Sequence, residues 1–384
     1  PSRLHPAPHP DSGENGLTIR ERTAGQVMTY QREFRQKLRV GVVGLGGHAY
    51  RNVLPTLHYL PVELAALCDV DAERLARTEA EYRTGAAFTD AGDMFQQAGL
   101  DAVLLCTGPR FHPALTLRAF AAGLDVWMEK PPAMRAAQVA ALLAARGDRV
   151  CAVGFKKACM PAARKARELL ALPAFGALQS MQGVYRVTIP RDGARWLEAG
   201  AEPPFLSVGC HPLSLMISCG GPVRHVTTLR GSGEEAAAIV ALHFASGAIG
   251  NLHLAAGSPE LLAAERYDFY GQGQAVSIEN STRVAYHRGV PFAYETQLEF
   301  ATPGLESGSI VWESSNAQGT LENTSFVVQG MVAELSDFCA AVAQRRQPSV
   351  GTLEFALQVM QVYEAAMLSQ GEARATGVVE VSNA

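Results

Sequence analysis

From Leu38 onward the hydrophobic positions fall into short, nearly unbroken runs: "LRVGVVG" (38–44), "VELAALCDV" (62–70), "DAVLLCTG" (101–108), "LDVWMEK" (124–130) and "RVCAVGF" (149–155). Apolar runs of this length, without polar alternation, predict strands buried on both faces. Between them, around 50–59, 72–83, 110–122 and 133–146, the pattern predicts helices. The last of these is expected to open just after Pro131 and Pro132, because proline suits a first helical turn. Strand and helix in alternation predict a doubly wound parallel sheet, an α/β domain over 38–155.

After about Lys156 the pattern changes. One more helix, "PAARKARELLAL", is followed by strand-like runs: "LQSMQGVYRVTIP", "HVTTLRG", "AIVALHF", "AIGNLHLAAG" and "RYDFYG". Consecutive strands joined by short Gly-rich turns predict a large, mainly antiparallel open sheet. "VQGMVAELSDFCAAVAQRR" and "TLEFALQVMQVYEAAML" close the chain as helices, giving an α+β domain over 156–384. Residues 1–37, opening "PSRLHPAPHPDSGENG", read as a disordered or extension tail rich in Pro, Gly and charge, with Met28 an alternative start.

Composition narrows the function. At 384 residues and 48% hydrophobic, the chain has material for two cores. A net charge of −4 and a pI near 6.2 supply no basic field for a polyanion, so nucleic acid is not an expected partner. No apolar stretch reaches the length of a membrane span, and the opening lacks the apolar core of a signal peptide. Cys68, Cys106, Cys151, Cys159, Cys210, Cys219 and Cys339 form no CxxC pair and several sit in apolar runs, which predicts reduced structural thiols and a cytoplasmic protein. His58, His225, His243 and His253 have no mutual metal-ligand spacing, and no catalytic metal is expected.

The chemistry begins at "VGVVGLGGHAY". Gly44, Gly46 and Ala49 stand in G-x-G-x-x-A spacing between a predicted strand and a predicted helix, with Gly47 and His48 completing the loop. The first glycine permits a tight turn, the second lets backbone approach a pyrophosphate, and the helix N-terminus offers free N–H groups. Asp69 ends the second strand, 25 residues beyond Gly44, near where an acid accepts hydrogen bonds from the adenosine ribose. Its carboxylate would repel a 2′-phosphate, which favours NAD over NADP. Asp71 reads as the helix cap before "AERLART". His48 reads as scaffolding for the cofactor loop.

Open parallel sheets deliver the carboxyl ends of their strands to the ligand crevice, and "WMEKPP" places Lys130 at such an end. The residue before a proline is held extended, so Pro131 and Pro132 aim the lysine.

These features together resemble the Gfo/Idh/MocA family of nicotinamide-dependent oxidoreductases. The glycine loop, Asp69 in "LCDVD", "MEKPP", "CTGPRFHPALTLRAFAAGLDV" and "GFKKACMPAARKAREL" correspond in order and spacing, over roughly residues 38 to 370. The resemblance implies that Lys130 lies between nicotinamide and substrate, and that Thr107, His112 and Glu129 shape the cofactor pocket. It implies oxidation of a secondary hydroxyl of a sugar, polyol or related compound, or reduction of the ketone. Lys130, joined by His211, would then handle the proton.

The family often carries Asp-x-x-x-His at a helix start; here "LSVGCHPLSL" keeps His211 but has Ser207 at the acid's position, and Ser214 stands where a further acid is common. Tyr185, Arg191, Arg195 and Trp196 are candidates for the substrate wall. The resemblance also implies a homo-oligomer assembled through an exposed sheet face. Two alternatives stay open: a non-redox, nucleotide-responsive regulatory protein on the same fold, and an enzyme that uses NAD transiently for oxidation and elimination on a sugar.

Overall fold

The computed structural model describes residues 34, 36–259, 264–289, 308–314, 320 and 323–377. Nearly all of the tail expected at 1–37, Met28 included, lies outside the described residues. Six strands, β1 (Leu38–Val43), β2 (Val62–Cys68), β3 (Ala87–Phe88), β4 (Ala102–Leu105), β5 (Asp125–Glu129) and β6 (Cys151–Gly154), form one parallel sheet in the order β3-β2-β1-β4-β5-β6. Five helices, α1 (Leu54–Leu57), α2 (Ala72–Tyr82), α3 (Ala91–Gln97), α4 (His112–Ala121) and α5 (Ala136–Ala145), link them. The order reverses beside β1, and at such a switch point a doubly wound sheet opens a crevice for ligands.

Both faces of this sheet are covered, as the unbroken apolar runs predict. On β4, Val103 and Leu105 join one core cluster while Ala102 and Leu104 join another; on β5, Val126 and Met128 face one way and Trp127 the other. Two features escape the apolar pattern: the two-residue β3 and α3, whose start is capped by Asp90 accepting from Gly92 and Asp93 N–H. The helix expected directly after Pro131 and Pro132 begins later, at Ala136. The Gln138 side chain accepts from the Met134 and Arg135 N–H groups and sets that start, leaving 131–134 non-helical. The Lys130–Pro131 peptide is cis.

Among the described residues the second sheet has nine strands: β7 (Ser180–Tyr185), β9 (Val223–Arg230), β11 (Ala238–Phe244), β12 (Ile249–Leu254), β13 (Arg266–Tyr270), β14 (Gln274–Glu279), β15 (Arg283–Arg288), β16 (Gly308–Glu313) and β17 (Arg374–Ala375). A separate ribbon pairs β8 (Ile189–Pro190) with β10 (Glu235–Ala236). The large sheet is antiparallel except at one seam, where β12 runs parallel to β7. That seam is a parallel pair in a sheet expected to be mainly antiparallel. The long excursion between the two strands, including β9 and β11, brings the chain back alongside β7 in the same direction, as a parallel pair requires.

Among the described residues, eight further helices follow: α6 (Lys156–Cys159), α7 (Pro161–Leu170), α8 (Gly193–Glu198), α9 (Pro204–Ser207), α10 (Cys210–Gly220), α11 (Ser325–Val328), α12 (Met331–Gln344) and α13 (Leu353–Leu368). The closing helix α12 returns to the first sheet: Met331, Leu335, Phe338 and Val342, spaced along one helical face, share a core with Val40, Val42, Leu104 and Trp127. This return sets a helix start against the carboxyl ends of β5 and β6. Among the described residues, no helix is long and apolar enough to cross a membrane.

Candidate active site

The glycine loop leaves β1 through Gly44, whose N–H donates to Cys68 O at 2.8 Å. Gly44 has φ +88°, and a Cβ there would lie 2.7 Å from Cys106 O, so conformation and space both demand glycine. Gly46 differs: a Cβ at Gly46 or Gly47 would meet nothing within 4 Å. The space beside the loop is therefore open on the side where a pyrophosphate must approach backbone. Ala49 is buried behind the loop, where the helix begins as a π-helical stretch, Ala49–Val53.

Asp69 ties this loop to the end of β2. Its Oδ2 accepts from Leu45 N at 2.7 Å, its Oδ1 from Asp71 N at 2.9 Å, and Arg74 reaches both oxygens at 3.2–3.3 Å. Asp71 caps α2, accepting from Glu73 and Arg74 N–H. Asp71 is thus the helix cap, while Asp69 braces the glycine loop.

At the end of β5, Glu129 is buried and doubly engaged. Its Oε2 accepts from Lys130 N at 3.1 Å, and its Oε1 lies 2.7 Å from His48 Nε2. Asn52 Nδ2 contacts His48 Nδ1 at 3.1 Å, an arrangement that leaves the His48 proton on Nε2, aimed at Glu129. His48 therefore does more than supply backbone: it couples the glycine-loop helix to the strand that carries Lys130. His112, fully buried at the start of α4, holds the other side through Nδ1 at 2.9 Å from Pro131 O. Burial lowers its pKa, so the ring is neutral. Thr107 Oγ1 is buried without a partner nearby.

Lys130 Nζ donates to Ser207 O at 2.9 Å, crossing from the first sheet's edge to α9. Ser207 Oγ makes only long contacts of 3.5 Å to Pro203 O and Pro204 O. Ser207 and His211 are not on one continuous helix. α9 ends at Ser207, Val208 and Gly209 intervene, and His211 N donates to Val208 O in the first turn of α10.

His211 is buried, and its Nδ1 has no partner. Burial first, and then the charges of Lys130, Lys156 and Lys157, hold its pKa well below the usual histidine range. Ser214 turns its hydroxyl back onto His211 O at 2.8 Å. Cys106 and Cys210 are neighbours of this region, but burial raises both thiols, Cys210 to about 12, so neither offers a thiolate.

Tyr185 ends β7 half-buried, its hydroxyl pKa raised by burial and then by Glu265. Trp196 packs partly against the main core, while Arg191 and Arg195 are exposed.

Three further residues join the cluster without having been singled out from the sequence. Lys156 opens α6 just beyond β6, whose Gly154 pairs with Glu129. Burial lowers its pKa, against the opposing influence of Glu129 and Glu334. Lys157 is buried and donates to Glu265 Oε2 at 2.6 Å and Ser281 Oγ at 2.7 Å. Glu334, in the first turn of α12, is 6% exposed with both carboxyl oxygens unpartnered, and burial raises its pKa well above the usual range.

The strand-end rule that picked out Lys130 applies equally to "GFKK". Glu334 had a fainter signal, an acid on the apolar stripe that carries Met331, Leu335 and Phe338.

Residues 38–155 match the family described as "Oxidoreductase family, NAD-binding Rossmann fold", and residues 163–277 match the "GFO/IDH/MocA C-terminal domain". The chain belongs to the Gfo/Idh/MocA family, and its N-terminal domain is an NAD-binding Rossmann domain. A dTDP-3,4-didehydro-2,6-dideoxy-alpha-D-glucose 3-reductase of Streptomyces violaceoruber is 31% identical over 186 residues, 46% of this chain and 53% of the relative. D-glucoside 3-dehydrogenase of Escherichia coli is 33% identical over 100 residues, covering 25% of this chain and 28% of the relative. The chain thus spans about half or less of the length of the curated relatives it matches. Among solved structures, a levoglucosan dehydrogenase in complex with NADH and levoglucosan superposes with a TM-score of 0.75 at 15% identity, covering 89% of this chain and 100% of that one. An oxidoreductase of Agrobacterium radiobacter gives 0.73 at 18% identity, with 89% and 99% covered. At these identities the likeness is one of fold.

Proposed function

We propose that the protein is an NAD-dependent oxidoreductase that oxidises a secondary hydroxyl of a sugar or polyol, or reduces the corresponding ketone. The observation that carries this is Lys130, held at the carboxyl end of β5 and directed across to α9, with His211 beside it and the open glycine loop at the same edge of the sheet. The curated relatives, a sugar 3-reductase and a glucoside 3-dehydrogenase, act at sugar hydroxyls or ketones by their names.

NAD, when bound, supplies the two-electron acceptor or donor. Gly44, Gly46, Gly47 and Ala49 would hold its pyrophosphate and Asp69 its adenosine ribose, with Thr107, His112 and Glu129 shaping the nicotinamide side. Lys130 takes the hydroxyl proton in oxidation and returns it in reduction. His211, uncharged, is the second group able to accept that proton or to orient the hydroxyl. Tyr185, Trp196, Arg191 and Arg195 belong to the proposed substrate wall. The open face of the second sheet, where Leu229 lies opposite Ile239 and Ile249 is flanked through Ser180 by Tyr270, fits the proposed homo-oligomer.

A panel of sugars and polyols followed at the NADH absorbance band tests the reading. With a substrate in hand, Lys130→Met should leave NADH affinity within a few fold and lower kcat by roughly two to four orders of magnitude. Near-parental turnover by that variant would remove Lys130 from the chemistry. A substrate consumed with no net NADH formed would point instead to transient use of the cofactor.

A further inference from the structure

The charged groups that converge on the carboxyl ends of β5 and β6 do not balance. Lys130, Lys156 and Lys157 all bear on His211. Lys157 is matched by Glu265, and Glu129, already engaged by His48 and by Lys130 N–H, is the other carboxylate that faces Lys156 along with Glu334. Glu334 faces Lys156 and Lys130 too, but it is buried with neither oxygen hydrogen-bonded, a setting in which a carboxyl keeps its proton. At the rim, Glu202 and Arg110 are exposed side chains of opposite sign, and Arg110 donates to Gly200 O. One cation is therefore left in excess. It is Lys156, part-buried and without a hydrogen bond or ion pair among the described residues.

A part-buried ammonium with no counterion is costly, and the cost is recovered when a ligand supplies the anion. We propose that the substrate carries a carboxylate, as an aldonic or uronic acid does, and that Lys156 is the residue that binds it. This rests on the oxidoreductase reading above and names its substrate class.

The spacing agrees. Glu129 and Gly154 are paired across neighbouring strands, and Lys130 and Lys156 follow them by one and two residues. Adjacent strands are about 4.8 Å apart, so the two lysine stems start roughly one to two strand spacings from each other. A hydroxyl carbon held at Lys130 and a carboxylate two to four carbons away would span that interval. A single excess charge matches a monoanion better than a phosphate dianion. Glu334, whose pKa burial raises and whose oxygens are unpartnered, repels such an anion less than an ordinary carboxylate would.

The experiment is equilibrium binding to the NADH-loaded protein, read by the fluorescence of bound NADH. The probes are D-gluconate, D-glucuronate, D-galacturonate and D-erythronate, each against its neutral counterpart (D-glucitol, D-glucose, D-galactose, erythritol), with D-glucitol 6-phosphate as the dianion.

At least one acid should bind tenfold or more tightly than its counterpart. Lys156→Gln should weaken that acid by roughly 10- to 100-fold, the range for a charged hydrogen bond, and the neutral compound by less than twofold. Lys156→Arg should retain the preference, and unchanged NADH affinity in both variants reports an intact fold. No acid preference in the parent, equal losses for acid and neutral probe in Lys156→Gln, or tightest binding by the phosphate would each overturn the proposal. Binding of an acid without its oxidation would sink the oxidoreductase reading alone. Oxidation of neutral polyols with no acid preference would sink this inference alone.

Discussion

The two sheets solve different problems with the same residue types. In the six-stranded sheet, β4, β5 and β6 are buried at every position, and even the outer strand β6 is covered, its Val153 N–H donating to Gly351 O. In the nine-stranded sheet, β11 and β12 alternate buried with exposed or part-exposed residues, and Leu229, Ile239, Ile249 and Tyr270 stand out on the open face. A layer covered on both faces can bind only at its strand ends, where the glycine loop, Glu129, Lys130 and Lys156 are found. A layer open on one face can spend that face on another surface while its inner face carries α10 and His211 against the first sheet's rim.

The sharpest break of this comparison falls within the glycine loop. Gly44 belongs to the packed layer and Gly46 to the open space beyond it. Gly44→Ala forces a left-handed conformation, costing about 1–2 kcal/mol, and drives its methyl into Cys106 O. Thermal stability should fall and NADH affinity should drop by more than about 100-fold, because the helix N-terminus loses its geometry toward the pyrophosphate. Gly46→Ala should leave stability within about 0.5 kcal/mol while still weakening NADH by tenfold or more. Calorimetry and NADH titration check both; equal stability losses would show that Gly46 is a packing residue after all.

Side-chain truncation sharpens the contrast next. Val103 and Leu104 are adjacent and both buried, so Val103→Ala and Leu104→Ala should each destabilise, Leu104→Ala by about 2–5 kcal/mol. On β9, Val226 is buried but Leu229 is 61% exposed. Val226→Ala should cost stability, whereas Leu229→Ala should lie within about 0.5 kcal/mol in the monomer. Leu229→Glu should lower the molar mass measured by light scattering where the open face joins copies; an unchanged mass moves the interface elsewhere.

What the sequence disclosed follows the same division. The first sheet was legible because continuous apolar runs and strand-end motifs are local: Gly44, Asp69 and Lys130 each announce themselves within a few neighbours. β3 and α3 were not, because two residues and a polar-faced helix carry too little periodicity. The parallel seam between β7 and β12 depends on where a long excursion returns, which no local pattern encodes. Glu334 was faint for a similar reason: it meets Lys156 only because α12 folds back across the first sheet. The helix break between Ser207 and His211 was likewise hidden behind an i,i+4 spacing that reads as one turn.

That break leads to the smallest effect, and the one that joins the two layers. His211 lacks a neighbouring carboxylate and faces lysine charges, so its imidazole protonates only well below the usual range. A histidine with a depressed folded pKa contributes its full stability above its unfolded pKa, about 6.5, and loses it as pH falls toward the folded value, with a limiting slope of about 1.4 kcal/mol per pH unit. Ser207→Asp adds an anion where Ser207 Oγ now makes only long contacts to the carbonyls of Pro203 and Pro204, which a carboxylate must turn away from. Turned toward His211 it favours the imidazolium directly; turned toward Lys130 it offsets a charge that opposes the imidazolium. Both act in one direction. The His211 pKa should rise by roughly one unit, moving the acidic limb of kcat/KM for oxidation upward and reducing the loss of stability below pH 6.5. The same anion should weaken acid probes at Lys156 more than neutral ones. Stability against pH for the parent, Ser207→Asp and His211→Ala gives a readout that needs no substrate. If Ser207→Asp shifts neither that curve nor the acidic limb, the two side chains do not communicate, and if His211→Ala leaves the rate profile unchanged, Lys130 alone carries the proton.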